Sequence, residues 1–250
     1  MNYNPYAPPQ APPPVPALPA ASEGPPRTWN ASQAMAIAWQ RFRGAVAPLV
    51  GASVLFLITS GVVTLAPKVM VEPRLSFSLT RPVPPAWLFL QLSVDSFFNV
   101  GLTRMLLVAA RGGTPAFGTL LLGWDRFLAV LASNLLRWVA LTVGLVLFVV
   151  PGLILAYGLA FTTFFVVDAN LGPIEALRAS WEATRGQKKE LFALSLLSLL
   201  VYLAGLAAFG VGLVAAYPVC MLAFAVAFTR VTGRMPVASP GEEGFPSPAR

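Results

Sequence analysis

The sequence predicts an all-α, polytopic helical membrane bundle with six transmembrane helices and short interfacial amphipathic helices. Three observations carry this reading. No charged residue occurs from Gly44 to Pro67, from Trp138 to Val167, or from Leu191 to Thr229. Apolar residues make up 56% of the 250 positions and charged residues 11%, where a soluble domain carries roughly 25% charged. Lys and Arg gather on alternate connections between the apolar runs. About 20 apolar residues suffice to cross a bilayer as a helix, which satisfies its own backbone polar groups in a solvent that offers none.

The chain opens on a proline-rich head, with ten prolines within residues 1–26. Such a segment buries too little apolar surface to fold and samples polyproline II. Residues 1–28 are therefore expected to be a disordered cytoplasmic tail. A docking tail for a proline-binding protein partner is its functional reading, and a solvated tail the plainer one. The membrane domain is expected over 29–232, with spans near 44–66, 86–109, 127–150, 151–168, 190–209 and 211–229. Residues 233–250 read as a second disordered cytoplasmic tail.

Each odd-numbered span is expected to follow a short interfacial helix with a tryptophan anchor: Trp39, Trp124 and Trp181. Asn30 and Gln33 form a capping pair for the first. The third has the clearest pattern. Pro173 suits the first helical position and Glu175 the first turn. Ile174, Leu177 and Trp181 share one face, and Glu175, Arg178, Glu182 and Arg185 the other. Pro151, Gly152, Gly210 and Gly212 are assigned to helix-hairpin turns. Gly152-Leu153 precedes Ala156-Tyr157, and Gly212-Leu213 precedes Ala216-Tyr217, sixty residues later. This reads as a repeated unit of interfacial helix and membrane hairpin, with coincidence in an apolar sequence as the alternative.

Charge sets the expected orientation. Thirteen of the Lys and Arg residues fall on the face that holds both termini and three, Lys68, Arg74 and Arg81, on the other. The positive-inside rule then puts both termini in the cytoplasm. A basic net charge of +7 comes with no basic stripe, so membrane orientation explains it and no nucleic-acid partner is implied. The single cysteine, Cys220, allows no intrachain disulfide. With no histidine in the chain, the usual zinc, haem and copper ligand sets and the commonest general base are absent, and no cofactor is expected.

Two charges fall inside spans. Asp95 lies near the middle of the second and Arg137 about ten residues into the third, on antiparallel helices. A charge at the bilayer centre costs at least about 2.5–3.5 kcal/mol, so pairing is the natural remedy. Asn99 and Asn134 complete a candidate intramembrane polar network with Asp95 and Arg137. A structural clasp and a polar substrate site are its two readings.

The stretch Val150-Pro151-Gly152-Leu153-Ile154-Leu155-Ala156-Tyr157, followed by Asp168, Gly172-Pro173-Ile174-Glu175-Ala176-Leu177, Ser180-Trp181 and Gly186, resembles a group of bacterial membrane proteins of unknown function. So does Gly101-Leu102-Thr103-Arg104 leading to Ala110-Arg111-Gly112. The group includes YciC-type inner-membrane proteins and the membrane region of some glycerophosphodiester phosphodiesterases. The resemblance covers about residues 30–230. It implies a multi-pass inner-membrane protein and brings no catalytic residues, and the chain has no separate phosphodiesterase domain. The expected function is a non-catalytic membrane scaffold or accessory protein. A small transporter or permease with a polar site near Asp95 and Arg137 is the alternative. The sequence specifies neither ligand nor oligomeric state.

Overall fold

The structure is a computed structural model that describes residues 29–71, 84–121, 123–207 and 211–233. Both tails, 1–28 and 234–250, lie outside the described residues, as do Arg74, Arg81 and the hairpin residue Gly210. The described residues form α1 (Ala31–Gly44), α2 (Val46–Val71), α3 (Pro85–Ala110), α4 (Phe127–Leu147), α5 (Val149–Gly158), α6 (Thr162–Asp168), α7 (Pro173–Ala183), α8 (Lys188–Ala207) and α9 (Val211–Thr232), with no strand among them. Six stretches are long and apolar enough to cross a membrane: α2, α3, α4, α5 with α6, α8 and α9. They coincide with the six predicted spans to within a few residues, because the uncharged runs set their limits.

The centre of the bundle is α9. Leu222, Ala223, Ala225, Ala227 and Phe228 on it are fully buried, and it packs against α1, α2, α3 and α8. Small residues on these faces let helix backbones approach closely where lipid gives little hydrophobic drive for association.

The three predicted interfacial helices diverge. For α1, the Asn30 side chain accepts from the Ser32 N–H at 3.1 Å and caps the helix. Its Ala34, Ala38 and Phe42 are buried where it packs on α8 and α9, and the Ala31 N–H donates to Glu190 Oε2 at 3.1 Å. One face of α1 is therefore docked into the bundle. Before α4 there is no α-helix. A 3-10 turn, Phe117–Leu121, stands there and folds back along α3. Leu120 is fully buried, and a Cβ at Gly101 would lie 2.1 Å from its carbonyl oxygen, so only glycine admits this approach. Before α8, α7 has the predicted form. Pro173 opens it, and the Gly172 N–H donates to Glu175 Oε2 at 3.2 Å.

The α4–α5 and α8–α9 hairpins cross in the same way. A Cβ on Gly144 would sit 3.1 Å from the Gly152 Cα, and one on Gly212 would sit 2.7 Å from the Gly205 Cα. Each hairpin thus closes on a glycine pair. The chain reversal of the first differs from expectation. It occurs at Phe148, whose φ of −166° and ψ of 151° are extended, and Pro151 sits inside the first turn of α5. A proline is tolerated there because first-turn N–H groups have no helical partner. Gly152 is the crossing point and not the turn.

The fourth span is broken. Leu159, Ala160 and Phe161 separate α5 from α6. Ser180 of α7 and the residue that caps its C-terminus, Thr184, repair the break. The Ser180 hydroxyl donates to the Gly158 carbonyl at 2.9 Å and accepts from the Phe161 N–H at 3.1 Å. Thr184 Oγ1 adds a second contact to the Gly158 carbonyl at 3.2 Å. Backbone freed from helical bonding is thus satisfied by side chains, as burial demands.

Candidate intramembrane polar site

On α2 and α3 the sequence places Ser60, Thr64, Gln91 and Asp95 at helical spacing, so each pair shares a face. The structure zips them together. Gln91 Nε2 donates to Ser60 Oγ at 3.0 Å and to Asp95 Oδ2 at 3.0 Å. Thr64 Oγ1 lies 3.2 Å from Gln91 Oε1 and 2.8 Å from the Ser60 carbonyl. Nearby, the Trp87 indole N–H donates to the Val63 carbonyl at 2.6 Å. Asp95 Oδ1, by contrast, is buried with no hydrogen-bond partner.

The predicted four-residue network divides into separate parts. Asn99 Nδ2 donates to the Asp95 backbone carbonyl at 2.9 Å and not to its carboxylate. Asn134 Nδ2 reaches across to α3 but bonds Ser96 Oγ at 3.0 Å, and both residues are buried. Among the described residues no ion pair joins Asp95 to Arg137. Helix rotation separates them. Arg137 shares its stripe of α4 with Ser133 and Gly144, and Gly144 packs on Gly152 of α5. The Asp95 carboxylate is drawn instead toward α2 through Gln91. Gln91 and Ser96 were missed in the sequence. Gln91, four residues before Asp95 in an otherwise apolar run, was the available signal.

A cleft of about 630 Å³ runs between α3 and α4. Leu88, Phe89, Leu92, Trp138, Val139 and Val143 form its walls, and Gln91, Asp95 and Thr142 are its polar lining. The Asn134–Ser96 bond lies just inward of the innermost lining residues, Asp95 and Leu135. It ties the two helices at the point from which they part toward Pro85. The cleft opens sideways, where lipid would stand, since Leu88, Phe89, Trp138 and Val143 are exposed.

The tryptophan anchors take three environments. Trp39 is 50% exposed and stacks on Phe42 with ring centroids 5.9 Å apart. Trp124 is 75% exposed and meets Phe97 edge-on at 5.0 Å. Trp181 is engaged in packing. A Cβ on Gly158 would lie 2.3 Å from its ring, and Lys188 Nζ sits 4.2 Å from the ring centroid. Trp29, not singled out in the sequence, is buried.

At the end of the bundle that carries α1 and α7, charged groups tie the connections together. Arg104 bonds Asp125, Arg111 bonds Asp168, and Arg126 Nη1 donates to the Asn170 carbonyl at 3.4 Å. Asn170 adopts a left-handed φ of 57°, a conformation asparagine tolerates better than most residues. The hydrogen bond from Arg104 holds the Asp125 carboxyl below its ordinary range.

Six crossings, a lipid-facing cleft and intramembrane hydrogen-bond pairs describe a multi-pass membrane protein. No curated protein and no solved structure matches the chain. The expected likeness to YciC-type proteins and to phosphodiesterase membrane regions thus finds no named relative in support. Residues 29–240 match a domain of unknown function, DUF7847. That stretch covers the whole described bundle, and the chain belongs to the DUF7847 family.

Proposed function

We propose that this chain is a non-catalytic scaffold or accessory protein of the bacterial inner membrane, with both termini cytoplasmic. The observation that carries the reading is closure. Polar side chains tie neighbouring helices together in Asn134–Ser96, Gln91–Ser60, and Ser180 with Thr184 on Gly158, with Asp95 Oδ1 left as an exception. Around α9 the interior is filled by rings. Phe228 meets Phe161, Phe164 and Phe165 with centroids 5.7, 5.3 and 5.0 Å apart. The Ser180 and Thr184 hydroxyls are bound to backbone, which supports a structural role for them. The excess of Lys and Arg at the α1 and α7 end supports a cytoplasmic placement of that end. The proline-rich tail offers a site for a protein partner on the same side.

Cysteine labelling tests this reading. In a Cys220→Ser background, single cysteines replace Ser96 and Ser198, and membrane-impermeant maleimide is added from each side in turn. Both cysteines are expected to stay unreacted. Labelling of either from water would reveal an aqueous path to the bilayer interior and would replace the scaffold by a transporter. The cleft leading to Asp95 is the feature that favours that second reading.

A further inference from the structure

We propose that the α3–α4 cleft is a binding site for a lipophilic organic cation that enters sideways from the lipid and places its charge at Asp95. This goes beyond the scaffold reading and does not depend on it.

Four observations carry the inference. The cleft holds about 630 Å³, within the usual range for small-molecule sites. The Asn134–Ser96 bond joins α3 and α4 one position beyond the lining residues Asp95 and Leu135. Its walls are apolar and include the Trp138 and Phe89 rings, whose faces attract cations. Asp95 is the carboxylate of the lining, and among the described residues no lysine or arginine lines the cleft.

The Asp95 carboxyl group is incompletely bonded by the protein. Oδ2 accepts from Gln91, while Oδ1 is buried with no partner. Arg137 makes no ion pair with it. A carboxylate at this depth is costly unless opposite charge arrives. A hydrated metal ion does not fit an apolar recess with one carboxylate. An anionic or neutral amphiphile would fill the walls and leave the charge unmet. A cation with an aromatic or aliphatic body satisfies both. Lipid acyl chains occupy the same space without selecting for charge, and that difference is measurable.

The test uses the full chain, purified and reconstituted in nanodiscs of neutral lipid. Binding of tetraphenylphosphonium is measured by equilibrium dialysis, with tetraphenylborate as an anion of the same shape. Saturable binding of the cation is expected, and the anion should not compete for it. Asp95→Asn, which keeps the Gln91 partner, should weaken binding about tenfold or more, the effect expected when a buried charge is removed from a site that needs it. Val139→Trp should weaken it by filling the recess while leaving Asp95 in place. Arg137→Gln should leave it unchanged. Equal binding of the anion, partition without saturation, or wild-type affinity in Asp95→Asn would each overturn the proposal. The cation–anion comparison needs no variant, so it decides even if Asp95→Asn fails to fold.

Discussion

Ser180→Ala tests how the broken fourth span is held. Ser180 is fully buried, and its hydroxyl serves two backbone groups at once. It accepts from the Phe161 N–H at 3.1 Å and donates to the Gly158 carbonyl at 2.9 Å. Alanine removes both hydrogen bonds. The Gly158 carbonyl retains Thr184 Oγ1 at 3.2 Å, but the Phe161 N–H loses its side-chain acceptor. A buried donor left unsatisfied costs about 1–3 kcal/mol, so Ser180→Ala should destabilise by about 2 kcal/mol. Thr184→Val should cost less, about 0.5–1.5 kcal/mol. Its hydroxyl also lies within bonding distance of the Ser180 and Trp181 carbonyls, and its removal leaves Ser180 on Gly158. In the double variant the Gly158 carbonyl is deprived of both hydroxyls. The combined destabilisation should therefore exceed the sum of the two, since the sites share a partner. The assay is reversible denaturant unfolding of the purified full chain in micelles. A Ser180→Ala variant within about 0.5 kcal/mol of wild type, or one less damaged than Thr184→Val, would refute the assignment of this hydrogen bond.

Four further outcomes are expected. Gly212→Ala places a Cβ 2.7 Å from the Gly205 Cα, and such overpacking should cost about 1–3 kcal/mol in the same unfolding assay. Gly61→Ala, with nothing within 4 Å of the added atom, should be neutral or mildly stabilising. Reporter fusions should give a cytoplasmic marker active at residue 250 and an exported marker active near residue 75; the opposite pattern would reverse the orientation. The Asp125 carboxyl is depressed by its bond from Arg104, so its contribution is present above the ordinary carboxyl pKa and fades as pH falls through the lower folded value. The interaction is exposed and worth less than about 1 kcal/mol. The difference in melting temperature between wild type and Asp125→Asn should hold steady above about pH 5 and shrink below about pH 4.

Much of the architecture was legible in the sequence because bilayer insertion writes itself into one dimension. A helix that crosses hydrocarbon must be apolar along its whole length, and charge marks where it stops. Pro173 and Glu175 announced the start of α7 for similarly local reasons. What stayed hidden depends on rotation and on neighbours. Asp95 and Arg137 were correctly placed in adjacent antiparallel spans. Period 3.6 fixes each side chain relative to its own helix, but it does not say which neighbour that face meets. The break at Leu159–Phe161 left no proline and only Gly158 as a trace. It depends on the Ser180 and Thr184 hydroxyls, which stand on the next helix and its C-cap. Trp124 was expected on a short helix before α4, and a 3-10 turn, Phe117–Leu121, stands ahead of it instead. The course of that turn is set by the close approach that Gly101 permits.

The repeated hairpin is where sequence and structure inform each other most. Matching Gly-Leu pairs sixty residues apart carry little weight alone, since an apolar sequence draws on few residue types. The structure gives the match a cause. Gly152 meets Gly144, and Gly212 meets Gly205, so each glycine of the sequence repeat faces a second glycine on the preceding helix. Such pairs bring helices together where van der Waals packing is a leading force for association. The α2–α3 pair is joined differently, by Gln91, Ser60 and the Trp87 indole. It also borders the cleft that ends at Asp95. Two hairpins closed by backbone packing and one held by polar side chains make a bundle whose first hairpin differs in kind. That asymmetry places the incompletely satisfied carboxylate on the pair that does not follow the repeat. A residue kept there only for packing would have been better served by a glycine or a leucine.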